Sequence, residues 1–403
     1  MITHEIRKLH VFAAALAELV KYSLVAPDRT LRWTIIANPG AGGFTIHRRW
    51  KKHEAALAAA LETVRRNPGN PGYPLKRNPG YPLKRNPRKD AAPSDYSQSL
   101  AEQKSGSLGT FGLIPTNGPG HAVTITEALL KEAAGNDHFY LFITAGGDGT
   151  SLEVLQAIYH APPTFRSRCA ILRLPLGTGN DGAETWELEN ALKLLVNPTH
   201  IELTRGIKLS TASGKTWPAS RSSEIAGKPF LAFNILSVGL DAFVTHMTNR
   251  MKGKLPGDSY KLWVDIAALL YDRIYKVGPM EIKVYDEKGK ELKTIKEKIL
   301  LCAMGASGHR SYGSHKMILP DDRNVCAVKQ MPLFRKIALK GLFTTGEHIT
   351  KPESFLFTAS RLLLTGMYPI LAQMDGETVR LEKEDFPALI ELTEAVIPVL
   401  RAL

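Results

Sequence analysis

The stretch DHFYLFITAGGDGTSLEVLQAIYH, residues Asp137–His160, contains an apolar run, a glycine loop and a helical pattern in immediate succession. The apolar run Phe139–Thr144 is typical of a strand that is covered on both faces of a parallel sheet. Three glycines then surround one acid, Asp148. The order strand, loop, helix predicts an α/β fold in this part of the chain.

Three further segments repeat the pattern of a short apolar strand followed by a glycine loop. They are Trp33–Ala37 with the loop NPGAGG, Phe111–Pro115 with the loop TNGPGHA, and Ala170–Arg173 with the loop LPLGTGND. Strands that alternate with helices predict a parallel sheet with helices on both faces. Ligands bind at the carboxyl ends of such strands, so we expect all four loops to line one cleft.

The loop around Asp148 has the composition of a phosphate site. Glycines let backbone amides approach a polyphosphate, and a helix N terminus adds the positive end of its dipole. Thr150 and Glu153 fit a capping box, which predicts that the helix begins directly after Gly149. An acid among such amides fits a ligand for phosphate-bound Mg²⁺ or a proton acceptor. One loop alone could be a tight turn with a capping acid; four loops at strand ends favour a nucleotide site.

The second half of the chain has short β-rich runs separated by turn residues, which predict a β-sandwich. Asp286–Glu291 is predicted as a hairpin turn, and Ser259–Tyr275 as an apolar helix. The N-terminal residues 1–30 are predicted as an amphipathic helix docked on the first domain, with a signal peptide as the alternative. The apolar stripe assigned to this helix is Ile6, Leu9, Ala13, Leu16, Val20 and Leu24, with Arg7, Lys8, Glu18 and Lys21 off the stripe.

A basic repeat interrupts the first domain. The unit NPGYPLKR occurs twice in succession, and Arg65–Asp90 contains eight Lys/Arg and one acid, which is +7 of the formal net charge of +13. Its prolines and glycines predict a disordered insertion over residues 65–106. The repeat is either an expansion without a function or a cationic arm for anionic lipid. The rest of the chain is only mildly basic, so we expect no nucleic-acid partner. A non-enzymatic RNA-binding protein is the least favoured alternative.

Five motifs occur in the order seen in one known family. They are NPGAGG (Asn38–Gly43), GGDGT (Gly146–Thr150), LPLGTGND (Leu174–Asp181), VGLDA (Val238–Ala242) and MDGE (Met374–Glu377). In this ordered set the chain resembles the diacylglycerol kinase catalytic-domain family. The resemblance implies an NAD kinase-like nucleotide-binding α/β domain at 31–200 and a β-sandwich lipid-substrate domain at 201–377. ATP would bind between them, and the segment 378–403 would return to the first domain.

The resemblance also implies roles for individual residues. The nucleotide-binding residues would be Asn38, Thr116, Gly146, Gly147, Asp148, Gly149, Thr150 and Thr178. The acids at the reacting centre would be Asp148, Asp375 and Glu377, with the two DGE acids slightly favoured as proton acceptors. Asp181 and Asp241 would contact the lipid substrate, and a structural turn acid is the alternative for Asp241. In MDGE, a strand would put both acids on one face, whereas the glycine favours a turn equally.

The chain departs from the family where members hold a structural Mg²⁺. This segment reads LPDDRNVCAV, which leaves Asp321 and Asp322 as candidate ligands, and Asp322 is the predicted metal residue. The resemblance implies ATP and Mg²⁺ as cofactors and an ATP-dependent kinase acting on a lipid hydroxyl, with diacylglycerol as first choice. A sphingoid base or another lipid alcohol is the alternative, followed by NAD kinase-like phosphorylation of a soluble substrate. The helix Ser259–Tyr275 would then wall the acyl pocket or belong to the core.

The location expected for such an enzyme is the cytoplasm, with peripheral attachment to a membrane. Three cysteines without CxxC spacing indicate a reducing compartment. The partner expected is a lipid substrate at a membrane surface, and a homodimer is left open.

Overall fold

The computed structural model describes residues 2–26, 29–66, 112–177, 179–198, 200–218, 227–251, 270–312 and 316–401. Nearly all of the predicted insertion at 65–106, Thr178 and the larger part of the predicted helix Ser259–Tyr275 lie outside these residues. The chain divides into two compact units. The first comprises Met1–Leu203 with Val396–Leu403, and the second comprises Thr204–Ala395. Of the segment 378–403 that was predicted to return to the first domain, only the last eight residues group with the first unit.

The first unit contains a sheet and the helices around it. Its strands are β1 (Leu31–Ala37), β2 (Gly112–Pro115), β3 (Phe139–Gly146) and β4 (Cys169–Pro175). Its helices are α1 (Ile2–Val20), α2 (Gly42–Thr45), α3 (His47–Arg66), α4 (His121–Ala133), α5 (Asp148–His160), α6 (Pro163–Arg166) and α7 (Leu188–Val196). All four strands that the apolar runs predict are therefore present.

The sheet of the first unit is parallel in the order β2-β1-β3-β4, and Val399 near the end of the chain pairs in parallel with Ile171 of β4. Side chains alternate between its two faces. Ile35 and Ile143 belong to one buried cluster with residues of α1, α3 and α7. α4 and α5 pack against each other, and α5 packs on β3. The predicted α/β fold with helices on both faces is confirmed.

Helix α1 buries most of the predicted stripe together with neighbouring positions. Leu9, Phe12, Leu16 and Leu19 are buried, whereas Ile6 is 45% exposed. The expectation that Lys8 lies on the polar face is wrong, because Lys8 lies one turn before Phe12 and is only 7% exposed. Its ammonium group donates a hydrogen bond of 2.7 Å to the carbonyl oxygen of Phe44. This bond ties α1 to the short helix α2.

The second unit is built mostly of strands. They are β5 (His200–Thr211), which begins in the first unit, β6 (Phe230–Ala232), β7 (Ile235–Gly239), β8 (Pro279–Tyr285), β9 (Glu291–Gly305), β10 (Arg310–Tyr312), β11 (Lys316–Leu319), β12 (Val325–Lys329), β13 (Ser354–Phe357), β14 (Arg361–Gly366), β15 (Ile370–Met374), β16 (Glu377–Leu381) and β17 (Ala388–Arg401), which ends in the first unit. The helices are α8 (Leu240–Met251), α9 (Tyr271–Ile274), α10 (Leu333–Lys340) and α11 (Leu342–Thr345), with 3₁₀ turns at Glu347–Thr350 and Lys383–Asp385.

Most of these strands form two antiparallel layers that share the long strand β9. One layer has the order β16-β15-β7-β9-β12-β13, and the other has the order β9-β8-β14-β17. A single buried cluster contains Leu236 and Met304 of the first layer together with Val284 and Leu362 of the second. The predicted β-sandwich is confirmed. The predicted hairpin turn at Asp286–Glu291 joins β8 to β9, with a 3.0 Å bond from the Asp286 amide to the Lys290 carbonyl.

The three cysteines are free and buried, Cys169 in the first unit and Cys302 and Cys326 in the second. Burial raises the pKa of the Cys169 and Cys302 thiols to about 12, and it also raises the pKa of the Cys326 thiol. They are therefore protonated at neutral pH. Among the described residues, no helix is both long enough and apolar enough to cross a bilayer.

Candidate functional site

The four glycine loops of the first unit begin at the same level of the sheet. In the register of the parallel strands, Ala37 pairs with Pro115 and with Ala145, and Gly146 pairs with Pro175. The residues that follow these positions therefore leave the sheet side by side at its carboxyl edge. The structure brings together Asn38, Thr116 and the GGDGT loop in this way, as the strand order predicts.

The NPGAGG loop is held by backbone bonds to its neighbours. The amide of Asn38 donates a hydrogen bond of 2.9 Å to the carbonyl oxygen of Ala145. The amide of Gly43 donates one of 2.8 Å to the carbonyl oxygen of Leu176. The Asn38 side-chain oxygen accepts from the Gly40 amide at 2.9 Å. A Cβ atom at Gly43 would lie 2.9 Å from the Leu176 carbonyl oxygen. The loop therefore needs glycine there.

The GGDGT loop leads into α5 earlier than the capping box predicts. The helix begins at Asp148 with Gly147 as its N-cap, and within the described residues no side chain caps it. Thr150 therefore lies inside the first turn, where a Cβ atom on Gly146 would come within 2.7 Å of its hydroxyl. The predicted capping box is wrong. Glu153 accepts instead from the amides of Gly120 at 2.6 Å and Ala122 at 3.0 Å, at the start of α4.

Asp148 joins the GGDGT loop to the LPLGTGND loop. Its carboxylate oxygens accept hydrogen bonds from the backbone amides of Asn180 and Gly182, both at 3.1 Å. A Cβ atom on Gly179 would lie 3.0 Å from an oxygen of Asp148 and 2.9 Å from an oxygen of Asp181. Two carboxylates thus flank one glycine at the carboxyl edge of the sheet.

The backbones of these two loops approach each other too closely for any side chain. A Cβ atom on Gly177 would lie 2.5 Å from the Cα atom of Gly147. Asn180 adopts a left-handed φ of 58°, and its side-chain oxygen accepts from the Gly177 amide at 2.6 Å. The guanidinium group of Arg49 donates to the Gly177 carbonyl at 3.3 Å. Thr178, in the middle of this loop, lies outside the described residues.

This edge of the sheet has the donors that Mg²⁺ and a polyphosphate require. Mg²⁺ is bound in kinases by one or two carboxylates together with substrate phosphates, and Asp148 and Asp181 supply two. The first turn of α5 supplies backbone amides for an anion. Among the described residues, no three His, Cys, Asp or Glu side chains are grouped closely enough to form a metal cage of their own.

The predicted metal residue Asp322 lies in the second unit. One oxygen of its exposed carboxylate is 2.9 Å from Nε2 of His309. Asp321 is paired with the Arg323 guanidinium group, whose hydrogen bonds lower the pKa of the Asp321 carboxyl. Asp321 is thus occupied by an ion pair with Arg323. Metal binding at Asp322 stays a prediction.

The MDGE motif forms a tight turn between β15 and β16. Met374 pairs with Glu377 across this hairpin, and the two residues between them, Asp375 and Gly376, have φ values of 46° and 96°. Two positive φ values are the signature of a type I′ turn. Of the two alternatives left open by the sequence, the structure shows the turn.

The Asp375 carboxylate is directed at the backbone of the β6–β7 connection. It accepts hydrogen bonds from the amides of Phe233, Asn234 and Ile235 at 2.5, 3.0 and 2.9 Å. These contacts give Asp375 a structural task and make Glu377, a half-buried residue at the start of β16, the better candidate for proton transfer.

Asp241 also supports the MDGE turn. Its side chain is 1% exposed and accepts hydrogen bonds from the Ser237 hydroxyl and, at 3.2 Å, from the Gln373 amide. The Gln373 oxygen in turn accepts from the Gly376 amide at 3.0 Å, and Asn249 donates to the Gly376 carbonyl at 2.8 Å. The contacts favour the structural alternative for Asp241, and a contact with lipid stays a prediction.

Sequence reasoning missed several residues that shape these loops. Asn180 and Gln373 lie within or beside the motifs, so their amide side chains were the signal that could have found them. Arg49 gives no such signal, because its contact with Gly177 depends on how α3 packs. His53, on the same helix, packs close to Gly43, since a Cβ atom built on Gly43 would lie 3.1 Å from its Nε2 atom. Burial, followed by the charges of Lys52 and Arg49, lowers its pKa to about 4, so it is neutral at pH 7.

Comparison with known proteins adds to this geometry. Residues 89–211 match the family model described as the diacylglycerol kinase catalytic domain. This segment therefore resembles a diacylglycerol kinase catalytic domain. It includes the GGDGT and LPLGTGND loops, so the family recognised from the ordered motifs is confirmed. No curated protein sequence matches the chain significantly.

Solved structures share the fold of this chain. One is a crystal structure of a protein from Bacillus anthracis str. Sterne, provisionally designated a diacylglycerol kinase, with 17% identity and a TM-score of 0.51. The match covers 92% of this chain and 97% of that one. A second structure, of a protein with the same designation and source, has 17% identity, a TM-score of 0.50 and the same coverage. At this identity the likeness establishes the fold.

Proposed function

We propose that the protein is an ATP-dependent lipid kinase that transfers the γ-phosphoryl group to a lipid hydroxyl, with diacylglycerol as the first-choice acceptor. The observation that carries the proposal is the pair of glycine loops joined through Asp148. These loops lie at the carboxyl edge of a parallel sheet, within the segment that matches the diacylglycerol kinase catalytic domain. A polyphosphate is the ligand that such closely approaching backbones and a helix N terminus suit best.

On this proposal, the first unit binds the nucleotide. Backbone amides of Gly146–Thr150 hold the phosphates, and Asn38, Thr116 and Thr178 lie along the rest of the nucleotide. Asp148 would hold Mg²⁺ together with Asp181, whose predicted contact with the lipid substrate stays a prediction. The ion would neutralise charge on the phosphates. Phosphoryl transfer depends mainly on positioning and electrostatic stabilisation. The hydrogen bonds that fix the GGDGT and LPLGTGND loops would therefore contribute to catalysis.

Glu377 is the proposed proton acceptor for the lipid hydroxyl. A hydroxyl has a pKa far above neutrality, so transfer benefits from a base that takes its proton late in the reaction. Asp375 is less suited to this role, because its oxygens already accept from three backbone amides. Asp375, Asp241 and Gln373 are instead proposed to hold the turn that presents Glu377.

The proposal is tested by identifying the product. The full chain is incubated with ATP and Mg²⁺ and, in separate reactions, with diacylglycerol, sphingosine and NAD, and the products are identified by mass spectrometry. We expect phosphate on diacylglycerol. Phosphate on sphingosine alone would keep the lipid kinase and change the acceptor. Transfer to NAD alone, or to none of the three, would overturn the proposal.

A glycine variant tests whether the loops bind the nucleotide. Gly177→Ala places a methyl group against the Gly147 backbone, at 2.5 Å from its Cα atom, so we expect at least a tenfold rise in the KM for ATP. Gly135→Ala is the matched control, because a Cβ atom there meets nothing within 4 Å. Equal KM values for the two variants would remove the loops from the nucleotide site.

A further inference from the structure

Helix α10 has an unusual distribution of polar and apolar side chains. Leu333, Phe334 and Ile337 are 40%, 85% and 51% exposed, whereas Lys336 is only 6% exposed. These three apolar residues are neighbours on the helix surface, since residues three and four apart share a face. A surface helix of a globular protein normally shows the opposite arrangement, with its apolar stripe towards the core.

Ion pairs hold this inverted orientation. The Lys336 ammonium group lies 2.7 Å from an Asp272 carboxylate oxygen at the start of α9. The Arg335 guanidinium group makes two bonds, of 2.6 and 3.1 Å, to the Glu353 carboxylate. Because Arg335 and Lys336 attach α10 to the second unit, Leu333, Phe334 and Ile337 are left at the surface. The helix is therefore anchored rather than loosely placed.

The segments of chain that supply α10 and its ion-pair partners are basic. The segments 270–276 and 329–353, which supply the helix and its ion-pair partners, together contain seven Lys/Arg and three Asp/Glu, a net charge of +4. Exposed apolar side chains surrounded by basic residues are complementary to an anionic membrane surface. There the basic residues contact lipid headgroups, and the aromatic or aliphatic side chains enter the boundary between headgroups and acyl chains. A cluster of three side chains is small for a stable protein interface, which needs about 800 Å² on each partner.

We propose that α10 is the membrane-docking element of this protein, and that Phe334, with Leu333 and Ile337, inserts into the interfacial region of an anionic bilayer. The proposal rests on the proposed function in that a lipid acceptor must be reached at such a surface. It names a different contact from the basic repeat at Arg65–Asp90, most of which lies outside the described residues. Variants in α10 leave that repeat intact.

The test is binding of the full chain to vesicles in the absence of ATP. Vesicles of equal parts phosphatidylglycerol and phosphatidylcholine are compared with phosphatidylcholine alone in a flotation assay. We expect Phe334→Ser combined with Ile337→Ser to lower the partition coefficient for anionic vesicles at least tenfold, the scale of one large apolar side chain. Leu292→Ser, at a 43% exposed leucine near the start of β9, is the matched control and should bind like the original protein.

An environment-sensitive dye provides a direct measurement of insertion. The three native cysteines are buried, so a dye attached to Leu333→Cys reports on α10 while Phe334 is kept. We expect the emission to shift to the blue on anionic vesicles and to be quenched by brominated acyl chains. Equal responses on phosphatidylcholine alone would overturn the anionic specificity, and no response on either would overturn docking.

Other occupants of the apolar face give different results. A monomer–dimer shift caused by Phe334→Ser, with vesicle binding unchanged, would assign the face to a second copy of the chain. A dye that is already shielded without vesicles would assign the face to another segment of the same chain. Because vesicle binding is measured without turnover, failure here leaves the lipid kinase proposal standing, and a failed kinase assay leaves the docking proposal standing.

Discussion

The two Asp–Gly motifs of this protein use the same chemistry for different ends. Asp148 begins a helix in the first unit and accepts from two backbone amides of a neighbouring glycine loop. Asp375 forms a hairpin turn in the second unit and accepts from three amides of a neighbouring strand connection. In both cases the aspartate binds another segment of backbone.

The surroundings separate the two aspartates. Asp148 has a second carboxylate, Asp181, beside the same glycine, and an arrangement of this kind suits a metal-bound polyphosphate. Asp375 is followed after one glycine by Glu377, which the hairpin presents at the start of β16. The comparison teaches that an acid inside a glycine motif can bind the backbone of another segment, so that the proposed chemistry falls to a neighbouring residue.

Glu377→Gln should have the largest effect on activity and would sharpen the comparison most. We expect kcat to fall about 10³-fold, within the range for loss of a positioned base, because the amide cannot accept the proton. Glutamine has nearly the same shape as glutamate, so the free energy of unfolding should fall by no more than about 1 kcal/mol. Steady-state kinetics and urea unfolding check both statements. A kcat within tenfold of the original would place the base elsewhere.

Asp148→Asn should reduce kcat about 10²-fold, the scale for losing a metal ligand or base. The side-chain amide would also face a backbone N–H where the carboxylate accepted a hydrogen bond, which loosens the LPLGTGND loop. Asp137→Asn, an exposed acid just before β3, is the control and should leave kcat unchanged. Near-normal turnover in a folded Asp148→Asn protein would make Asp148 a structural residue like Asp375 and erase the contrast between them.

Asp375→Asn should act mainly on stability. Asparagine tolerates the left-handed φ of this position, so the substitution changes the acceptors and little else. We expect a loss of about 2 kcal/mol in the free energy of unfolding, since hydrogen bonds to a charged group contribute about 1.5–3 kcal/mol. Asp286→Asn, in the exposed β8–β9 hairpin, is the control, with an expected loss below about 1 kcal/mol. If Asp375→Asn abolishes turnover at full stability, Asp375 takes part in proton transfer.

The strands and loops of the first unit could be predicted because their signals are local. Phe139–Thr144 is apolar up to its last residue, and its loop is marked by glycine. Both the buried strand and its carboxyl end can therefore be located in the sequence. The position of the loops along one edge then follows from parallel topology. The hairpin turn at Asp286–Glu291 is equally local.

Contacts that depend on packing could not be predicted. The sequence pattern of Thr150 and Glu153 satisfies a capping box, yet Glu153 binds the start of α4, because the helix begins two residues earlier than the pattern requires. The sequence places Lys8 on the polar face of α1. In the structure its ammonium group is buried because a carbonyl oxygen of α2 accepts its hydrogen bond. The inversion of α10 has the same origin, since Asp272 and Glu353 are distant in sequence from the lysine and arginine that they bind.

The buried cysteines can be used to measure local opening of the fold without any added label site. A thiol reacts with a modifying reagent as its thiolate, and burial suppresses both the thiolate and access to it. Reaction therefore requires local or global opening of the surrounding structure. Cys169 reports on the sheet that carries the glycine loops, whereas Cys302 and Cys326 report on the sandwich that carries the MDGE turn. Mass-resolved labelling rates of the unmodified chain would thus give separate opening free energies for its two units, and the change in each on adding nucleotide or vesicles would locate where that ligand stabilises the fold.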